Sequence, residues 1–357
     1  MAAPDRMSDL LAPPNPVDGD LRHARRAPRS RGFVAGLVVG ALLLVGGGGV
    51  AAYYAYRMSL DDNLERIEDP FADVDPSTRP SAPAVEGPTA PVNILVLGSD
   101  SRISAGDPTQ WEAGAQRTDA IMLVHLAADR KSAAAISIPR DSWVPIPGYG
   151  EAKVNAAFSY GGPALMIQTV ENLTGVRIDH FAVTDFESFK ALTDSLDGVE
   201  ITVPDGDGGS VRQAMTGEEA LEFARERYAL ANGDFGRVQR QQAWMRAIVA
   251  KAKNSMSEPV KMASFLEAIT SSVAVDEGLT FDKIQELVMG TQDMGTNDIT
   301  FMTAPYSGTG RSADGQSIVV LDRAVFDPLM EAVAKDEVPK FVEANPDAMD
   351  VLPAVVQ

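Results

Sequence analysis

Polar, charge-rich stretches alternate with short apolar runs along most of the chain, and one run is far longer than the rest. Residues 33–56 contain no charged side chain over 24 positions. As a helix this stretch would span about 36 Å at ~1.5 Å per residue, enough for a hydrocarbon core of ~30 Å with some tilt. Tyr53, Tyr54 and Tyr56 gather at its far end, where an aromatic belt belongs. A cleaved signal peptide has a shorter apolar stretch and a small-residue cleavage site directly after it. Here the flank is Tyr-Tyr-Ala-Tyr-Arg. One uncleaved transmembrane helix is the expectation.

The remaining runs are strand- and helix-sized. Val92 to Leu97 is an apolar run ending at Gly98, the pattern of a buried strand that enters a turn. Ala120–Leu126, Ala133–Ile138, Ile201–Val203, Ile299–Met302 and Ile318–Leu321 read as further strands. Helices are expected over 163–173, 184–196, 235–253, 259–271, 281–290 and 324–334. Thr216 with Glu219 forms a capping box that opens one more, containing Leu221 and Phe223. Strands interleaved with helices predict an α/β fold, a central sheet flanked by helices.

Five segments follow from this texture: a disordered tail over 1–32, the membrane helix over 33–56, and a polar, Pro-rich linker over 57–91. A folded α/β domain is expected over 92–335 and a loosely packed tail over 336–357. Within the linker, residues 57–69 read as a short polar helix continuing out of the membrane, and six prolines between Pro70 and Pro91 make the rest a semi-extended spacer.

Charge changes this picture by giving it direction. The whole chain has 31 Lys and Arg against 50 Asp and Glu, a net charge of −19. Residues 1–32 carry six Arg and four Asp, whereas the chain from Arg57 onward has 25 basic and 46 acidic residues. The basic flank therefore belongs in the cytoplasm and the acidic body outside the cell membrane. An acidic body argues against a nucleic-acid partner, because polyphosphate backbones demand a basic face. Zero Cys and only three His exclude thiolate nucleophiles and make a conventional Ser-His-Asp triad or a His-rich metal site a poor expectation. His125 reads as a core residue, His180 as structural, and Trp111, Trp143 and Trp244 as packing residues.

Arginine stands out against that acidic background. Ten of the 16 arginines from Arg57 onward fall between residues 98 and 241. Six of these ten sit in Gly98-Ser-Asp100-Ser-Arg102, Arg117-Thr-Asp119, Pro139-Arg140-Asp141, Arg225-Glu-Arg227 and Asp234-Phe-Gly-Arg237. An isolated Arg beside Asp is usually a surface ion pair of little consequence. Loops at strand ends, however, are where α/β folds place ligands, and the guanidinium fork suits phosphate oxygens. Asp100 and Asp119 on neighbouring strand ends would suit a hard divalent cation that shares phosphate oxygens.

The same pieces resemble the LytR-CpsA-Psr family. Asn93-Ile-Leu-Val-Leu-Gly-Ser-Asp-Ser-Arg102, Arg117-Thr-Asp-Ala, Ser137-Ile-Pro-Arg-Asp141 and Ile146-Pro-Gly-Tyr-Gly150 carry the likeness. So do Lys153-Val-Asn-Ala-Ala157, Tyr160-Gly-Gly-Pro163, Ile178-Asp-His180 and Leu196-Asp-Gly-Val199. Ala220-Leu-Glu-Phe-Ala-Arg-Glu-Arg227 and Gly233-Asp-Phe-Gly-Arg-Val-Gln-Arg-Gln-Gln242 complete it. The match is collinear from about residue 92 to residue 250.

The resemblance implies a mixed sheet flanked by helices with an apolar pocket for a polyprenyl tail. It implies a membrane-anchored phosphotransferase of the bacterial envelope that moves a glycopolymer from a polyprenyl diphosphate carrier to peptidoglycan. By motif position, Asp100 and Asp119 would hold magnesium, with manganese as a substitute. Arg117, Arg140, Lys153, Arg225, Arg227, Arg237 and Gln241 would surround the pyrophosphate. Arg140 and Asp234 would be catalytic, Asp234 by orienting arginines or assisting proton removal; Asp119 is the other candidate base. Two rivals stay open: a pyrophosphatase acting on the same lipid-linked intermediates, and a non-catalytic polyprenyl-phosphate binder.

Overall fold

The structure is a computed structural model that describes residues 53–82, 89–99, 118–226, 233–255 and 258–357. The chain divides into two units, Met1–Tyr54 and Ala55–Gln357, and the second carries the fold. The tail over 1–32 and nearly all of the expected membrane segment lie outside the described residues. Among the described residues no helix is long and apolar enough to cross a membrane.

Residues 53–63 are helical. Then follow β1 (Glu65–Ile67), β2 (Val92–Ser99), β3 (Thr118–Leu126), β4 (Ala133–Ser137), β5 (Trp143–Ile146) and β6 (Gly150–Lys153). Helix α1 (Asn155–Thr174), β7 (His180–Asp185), α2 (Phe186–Ser195), β8 (Val199–Pro204) and β9 (Ser210–Met215) come next. After them are α3 (Gly217–Arg225), α4 (Asp234–Ser255), α5 (Pro259–Thr270), β10 (Val273–Asp276) and α6 (Phe281–Gly290). The chain closes with β11 (Ile299–Thr303), β12 (Tyr306–Arg311), β13 (Ser317–Leu321), α7 (Arg323–Ala334), α8 (Val338–Ala344) and β14 (Asp350–Val351).

Eight strands form one sheet in the order β1-β10-β7-β2-β3-β4-β11-β14. It is mixed: β2 runs parallel to β7 and β4 parallel to β11, while β3 is antiparallel to both of its neighbours. Successive side chains leave a strand on opposite faces. Leu95, Leu97, Ile121, Leu123, Ile136, Phe181 and Val183 pack on one face with Met166, Ile167 and Val170 of α1 and Phe326 and Met330 of α7. Val96, Met122, Val124 and Ala135 go the other way, onto Leu192 of α2, Leu221 of α3, and Trp244 and Ile248 of α4. Burial on both faces explains why these strands read as apolar runs without alternation. Each fully buried Leu, Ile or Phe contributes about 1.5–3 kcal/mol relative to exposure.

Helix boundaries follow local chemistry. The capping box at Thr216 is present, with Glu219 accepting from the Thr216 backbone N–H at 2.8 Å. α1 breaks at Gly161 and Gly162, the latter at φ 64°, before Pro163 restarts the helix. The expectation over 163–173 is therefore the second half of a longer, kinked element. It ends at Gly175, whose left-handed backbone (φ 66°) lets its N–H reach the Glu171 carbonyl at 2.8 Å.

Two expectations are corrected. The segment after Val338 is not loosely packed: it forms α8, β14 pairs with β11, and Met349, Leu352 and Val356 are buried. The expected polar helix after residue 56 is present as far as residue 63, but neither it nor the described residues of 70–82 stand apart as a spacer. Leu60, Leu64, Ile67 and Val74 are buried, and β1 extends the sheet. Arg79 makes bonds of 3.1 and 2.7 Å to the buried carboxylate of Glu171 in α1. Short elements with few apolar residues escaped the sequence reading, chiefly the hairpin β5–β6 and the strands β9 and β12 that pair with the expected β8 and β13; β9, for instance, is exposed along all but its last residue.

Candidate active site

The antiparallel pairing of β3 and β4 creates the site. Met122 lies opposite Ser137, so the start of β3, with Asp119, and the loop leaving β4, with Arg140, fall at one end of the sheet. β2 ends there too, with Gly98 beside Ala120. A Cβ at Gly98 would lie 3.0 Å from that of Ala120, which is why this strand end is glycine. The first turns of α4 complete the arrangement. Asp234, Arg237, Val238 and Gln241 share one face by their i, i+3, i+4, i+7 spacing.

Arg140 and Arg237 converge on the same two carboxylates. Arg140 Nη1 donates to Asp119, and its Nε lies 3.6 Å from Asp234 Oδ2 and 3.9 Å from Asp141 Oδ2. Arg237 donates from Nη2 to Asp234 Oδ2 at 3.1 Å and places Nη1 3.6 Å from Asp119 Oδ1. Lys153, at the end of β6, holds Asp141 at 3.0 Å. The Arg237 side chain is only 3 % exposed, against 18 % for Arg140 and 39 % for Asp234. Three carboxylates thus balance three cations. The carboxylates occupy guanidinium forks whose geometry suits anionic oxygens in general.

Behind the charges is a narrow cavity of about 60 Å³. Asp119, Arg140, Asp234 and Arg237 line it together with Val96, Met122, Phe189, Val238, Trp244 and Met245. Trp244, expected as packing, is both: its ring packs edge-on to Phe189, its Nε1 donates to Thr193 Oγ1 at 2.8 Å, and it forms part of the cavity wall. Gln241 also lines this cavity, and its buried Nε2 has no hydrogen-bond partner among the described residues. A buried amide donor without such a partner, on a residue that lines the cavity, is suited to an anionic oxygen.

Of the residues expected from sequence, Arg140, Asp234, Arg237, Gln241 and Asp119 meet at this cavity, and Lys153 joins through Asp141. Arg225 ends α3, is exposed, and is not among the lining side chains. Asp100, Arg117 and Arg227 lie outside the described residues. No cluster of three His, Asp or Glu able to hold a metal occurs among the described residues. Asp119 nevertheless has the donor chemistry for magnesium: a hard oxygen, partly exposed, beside arginines able to share phosphate oxygens.

Sequence reasoning missed Asp141 as the anchor of Lys153. It also missed Gln242, whose buried Nε2 donates to Ser137 Oγ and to the Met302 carbonyl, each at 2.9 Å. Those bonds fix α4 to β4 and β11, and so set Arg237 and Gln241 relative to Arg140. The Gln-Gln pair was the available signal, since one of two adjacent helical residues must face the sheet. His125 and His180 are structural, as expected: His125 bonds Asn93 and Asp336, and His180 bonds Asp276.

The chain is 30 % identical over 286 residues to the cell wall biosynthesis protein LcpA of Corynebacterium glutamicum, covering 67 % of this chain and 54 % of that protein. It therefore spans about half the length of that relative. It is 31 % identical over 265 residues to the polyisoprenyl-teichoic acid–peptidoglycan teichoic acid transferase TagU of Bacillus cereus, covering 72 % of this chain and 81 % of TagU. The crystal structure of Bacillus subtilis TagV shares the fold, with a TM-score of 0.57 at 24 % identity over 69 % of this chain and 97 % of that one. The sequence pattern of the LytR_cpsA_psr family matches residues 54–335, and the chain belongs to that family.

Proposed function

We propose that this protein is a membrane-anchored phosphotransferase that moves a glycopolymer from a polyprenyl diphosphate carrier to peptidoglycan, forming a phosphodiester. One observation carries the reading: Arg140 and Arg237 converge on Asp119 and Asp234 at an apolar cavity. Fixed cations beside an apolar slot match an amphipathic donor, a diphosphate with a lipid tail. The transferase name of TagU supports the same chemistry.

Two ester-linked phosphates carry about two negative charges, which repel an incoming hydroxyl. Arg140, Arg237 and Lys153 offset that charge, and the two guanidinium groups stabilise the charge that develops on the departing polyprenyl phosphate. Gln241 adds a neutral donor. Asp119, with Asp100, would hold magnesium or manganese, which when bound would supply further charge neutralisation at the diphosphate. Asp234 orients both arginines and is positioned to take the acceptor's proton. The acceptor is a primary hydroxyl of peptidoglycan muramic acid. No protein nucleophile is needed.

A cavity of about 60 Å³ is far below the ~300–1,000 Å³ of ordinary ligand sites. A polyprenyl tail would therefore need it to widen around Phe189, Trp244 and Met245. The apolar stretch over 33–56, as a membrane anchor, would tether the protein to the bilayer that supplies the donor, with the N-terminus in the cytoplasm and the acidic body outside.

The test is transfer by the full chain in lipid vesicles, with a polyprenyl diphosphate-linked glycan, peptidoglycan strands and magnesium. Peptidoglycan-linked glycan is the expected product, lost on chelation. Free glycan phosphate as the sole product points to the pyrophosphatase instead, and lipid binding without turnover to a carrier-binding protein.

A further inference from the structure

A second cavity, of about 200 Å³, adjoins the charged cluster and shares Asp234 and Val238 with the first. It is lined by Pro139, Asp141, Asp234, Phe235 and Val238, and by Thr309 and Ser317–Val319 of the β12–β13 hairpin. The partition between the two cavities is narrow. Along the loop after β4, Ile138 and Arg140 line the apolar cavity, whereas Pro139 and Asp141 line the second. Residues 139–142 form a turn, closed by the Ser142 N–H on the Pro139 carbonyl at 2.9 Å, and this turn gives alternate side chains to the two cavities, so it stands between them. On α4, Asp234 and Val238 line both, and the helix then diverges: Arg237 and Gln241 line the apolar cavity, Phe235 the other.

We infer that the second cavity receives the acceptor, a glycan strand offering a free primary hydroxyl; this rests on the phosphotransferase reading above. Displacement at phosphorus requires the attacking and leaving oxygens roughly in line. If the leaving polyprenyl phosphate occupies the apolar side, the attacking hydroxyl must come from the opposite side. The second cavity lies across the turn from the apolar one, and Asp234 lines both.

Its lining suits a sugar. Thr309 and Ser317 supply hydroxyls, Asp141 and Asp234 supply carboxylates, and Phe235 supplies an apolar ring for C–H faces. That ring is held in place by stacking on Tyr306, with centroids 4.0 Å apart and planes within 4°. The hairpin is tied to the catalytic loop, since the Val319 N–H donates to the Asp141 carbonyl at 2.8 Å. Asp234 makes its contacts with Arg140 and Arg237 through Oδ2, which leaves Oδ1 to face an acceptor.

The step balances without a further reactant. The acceptor oxygen forms a bond to the phosphorus bearing the glycan, and the bond from that phosphorus to the bridging oxygen breaks. The electron pair departs on the bridging oxygen as polyprenyl phosphate, and the hydroxyl proton passes to Asp234.

Thr309→Trp and Ser317→Trp test this by narrowing the mouth of the cavity from exposed hairpin positions, outside the charged cluster, so that a sugar is shut out while water still reaches Asp234. The full chain in vesicles is assayed for polyprenyl phosphate release without acceptor, where water attacks, and for transfer to uncrosslinked peptidoglycan strands. The expected result is water-driven release within about twofold of the unsubstituted protein, with the acceptor KM raised at least tenfold or transfer lost. Unchanged transfer by both folded variants overturns the inference. So does equal loss of release and transfer, since that places the effect on the donor. A more conservative Ser317→Gln, with its melting curve, keeps the test open should a Trp variant not fold. Absence of any release by the unsubstituted protein overturns the underlying phosphotransferase reading itself.

Discussion

Arg140→Ala separates catalysis from stability, because the geometry sets the two costs at different sizes. The guanidinium meets Asp119, Asp141 and Asp234, whose side chains are 19, 28 and 39 % exposed. Breaking a fully buried pair costs about 3–5 kcal/mol, and an exposed pair is worth about 0.2–1 kcal/mol. These carboxylates are only partly buried, and each keeps a cation: Arg237 faces Asp119 and Asp234, and Lys153 faces Asp141. A loss of about 1–2 kcal/mol follows, or roughly 2–8 °C in Tm for a domain of this size. The loss of a fixed donor at a developing charge is larger, ~10²–10³-fold in kcat. Calorimetry gives the first quantity and vesicle-based transfer the second. Arg140→Lys keeps the charge but not the fork and should recover only part of the rate. Transfer within about threefold of normal by a folded Arg140→Ala protein would refute the assignment of Arg140 to the reacting phosphates.

Two further outcomes concern stability. Arg79→Met leaves the Glu171 carboxylate, 2 % exposed, without its cation, so stability should fall by about 3 kcal/mol or more in urea titration; a loss under 1 kcal/mol would mean that the bond from the Ile178 N–H to Glu171 suffices. Burial pushes the His125 imidazole below its ordinary value, with Asp336 opposing that shift through its hydrogen bond and charge. The unfolded chain therefore takes up this proton near pH ~6.5, before the folded one does, so the stability His125 contributes is present above that pH and lost as pH falls below it. Denaturation of the unsubstituted protein and His125→Gln between pH 8 and 5 should show a stability difference that shrinks on acidification; one that grows would contradict the sign.

The order of elements was largely legible because buried strands must be apolar. β2, β3 and β4 announce themselves by composition, and the α3 capping box is a local hydrogen-bond pattern. The chemistry of the site was legible as residue type: arginine and aspartate at strand and helix ends. Local sequence could not convey β9, β12 or the ties of Arg79 to Glu171 and β14 to β11, since each depends on a partner distant in the chain. The last two turned an expected spacer and an expected loose tail into parts of the domain.

By itself, then, the sequence determined an acidic α/β domain preceded by an apolar stretch long enough for a membrane, with arginines concentrated in its loops. Those properties reside in single residues and their near neighbours. Tertiary structure decided which arginines act together. Antiparallel pairing of β3 with β4 brings Arg140 to Asp119, and the bonds of Gln242 to Ser137 and Met302 set Arg237 against the same carboxylate. It also decided that the turn after β4 stands between two cavities. That follows from strand register and helix docking, which no spacing along the chain encodes.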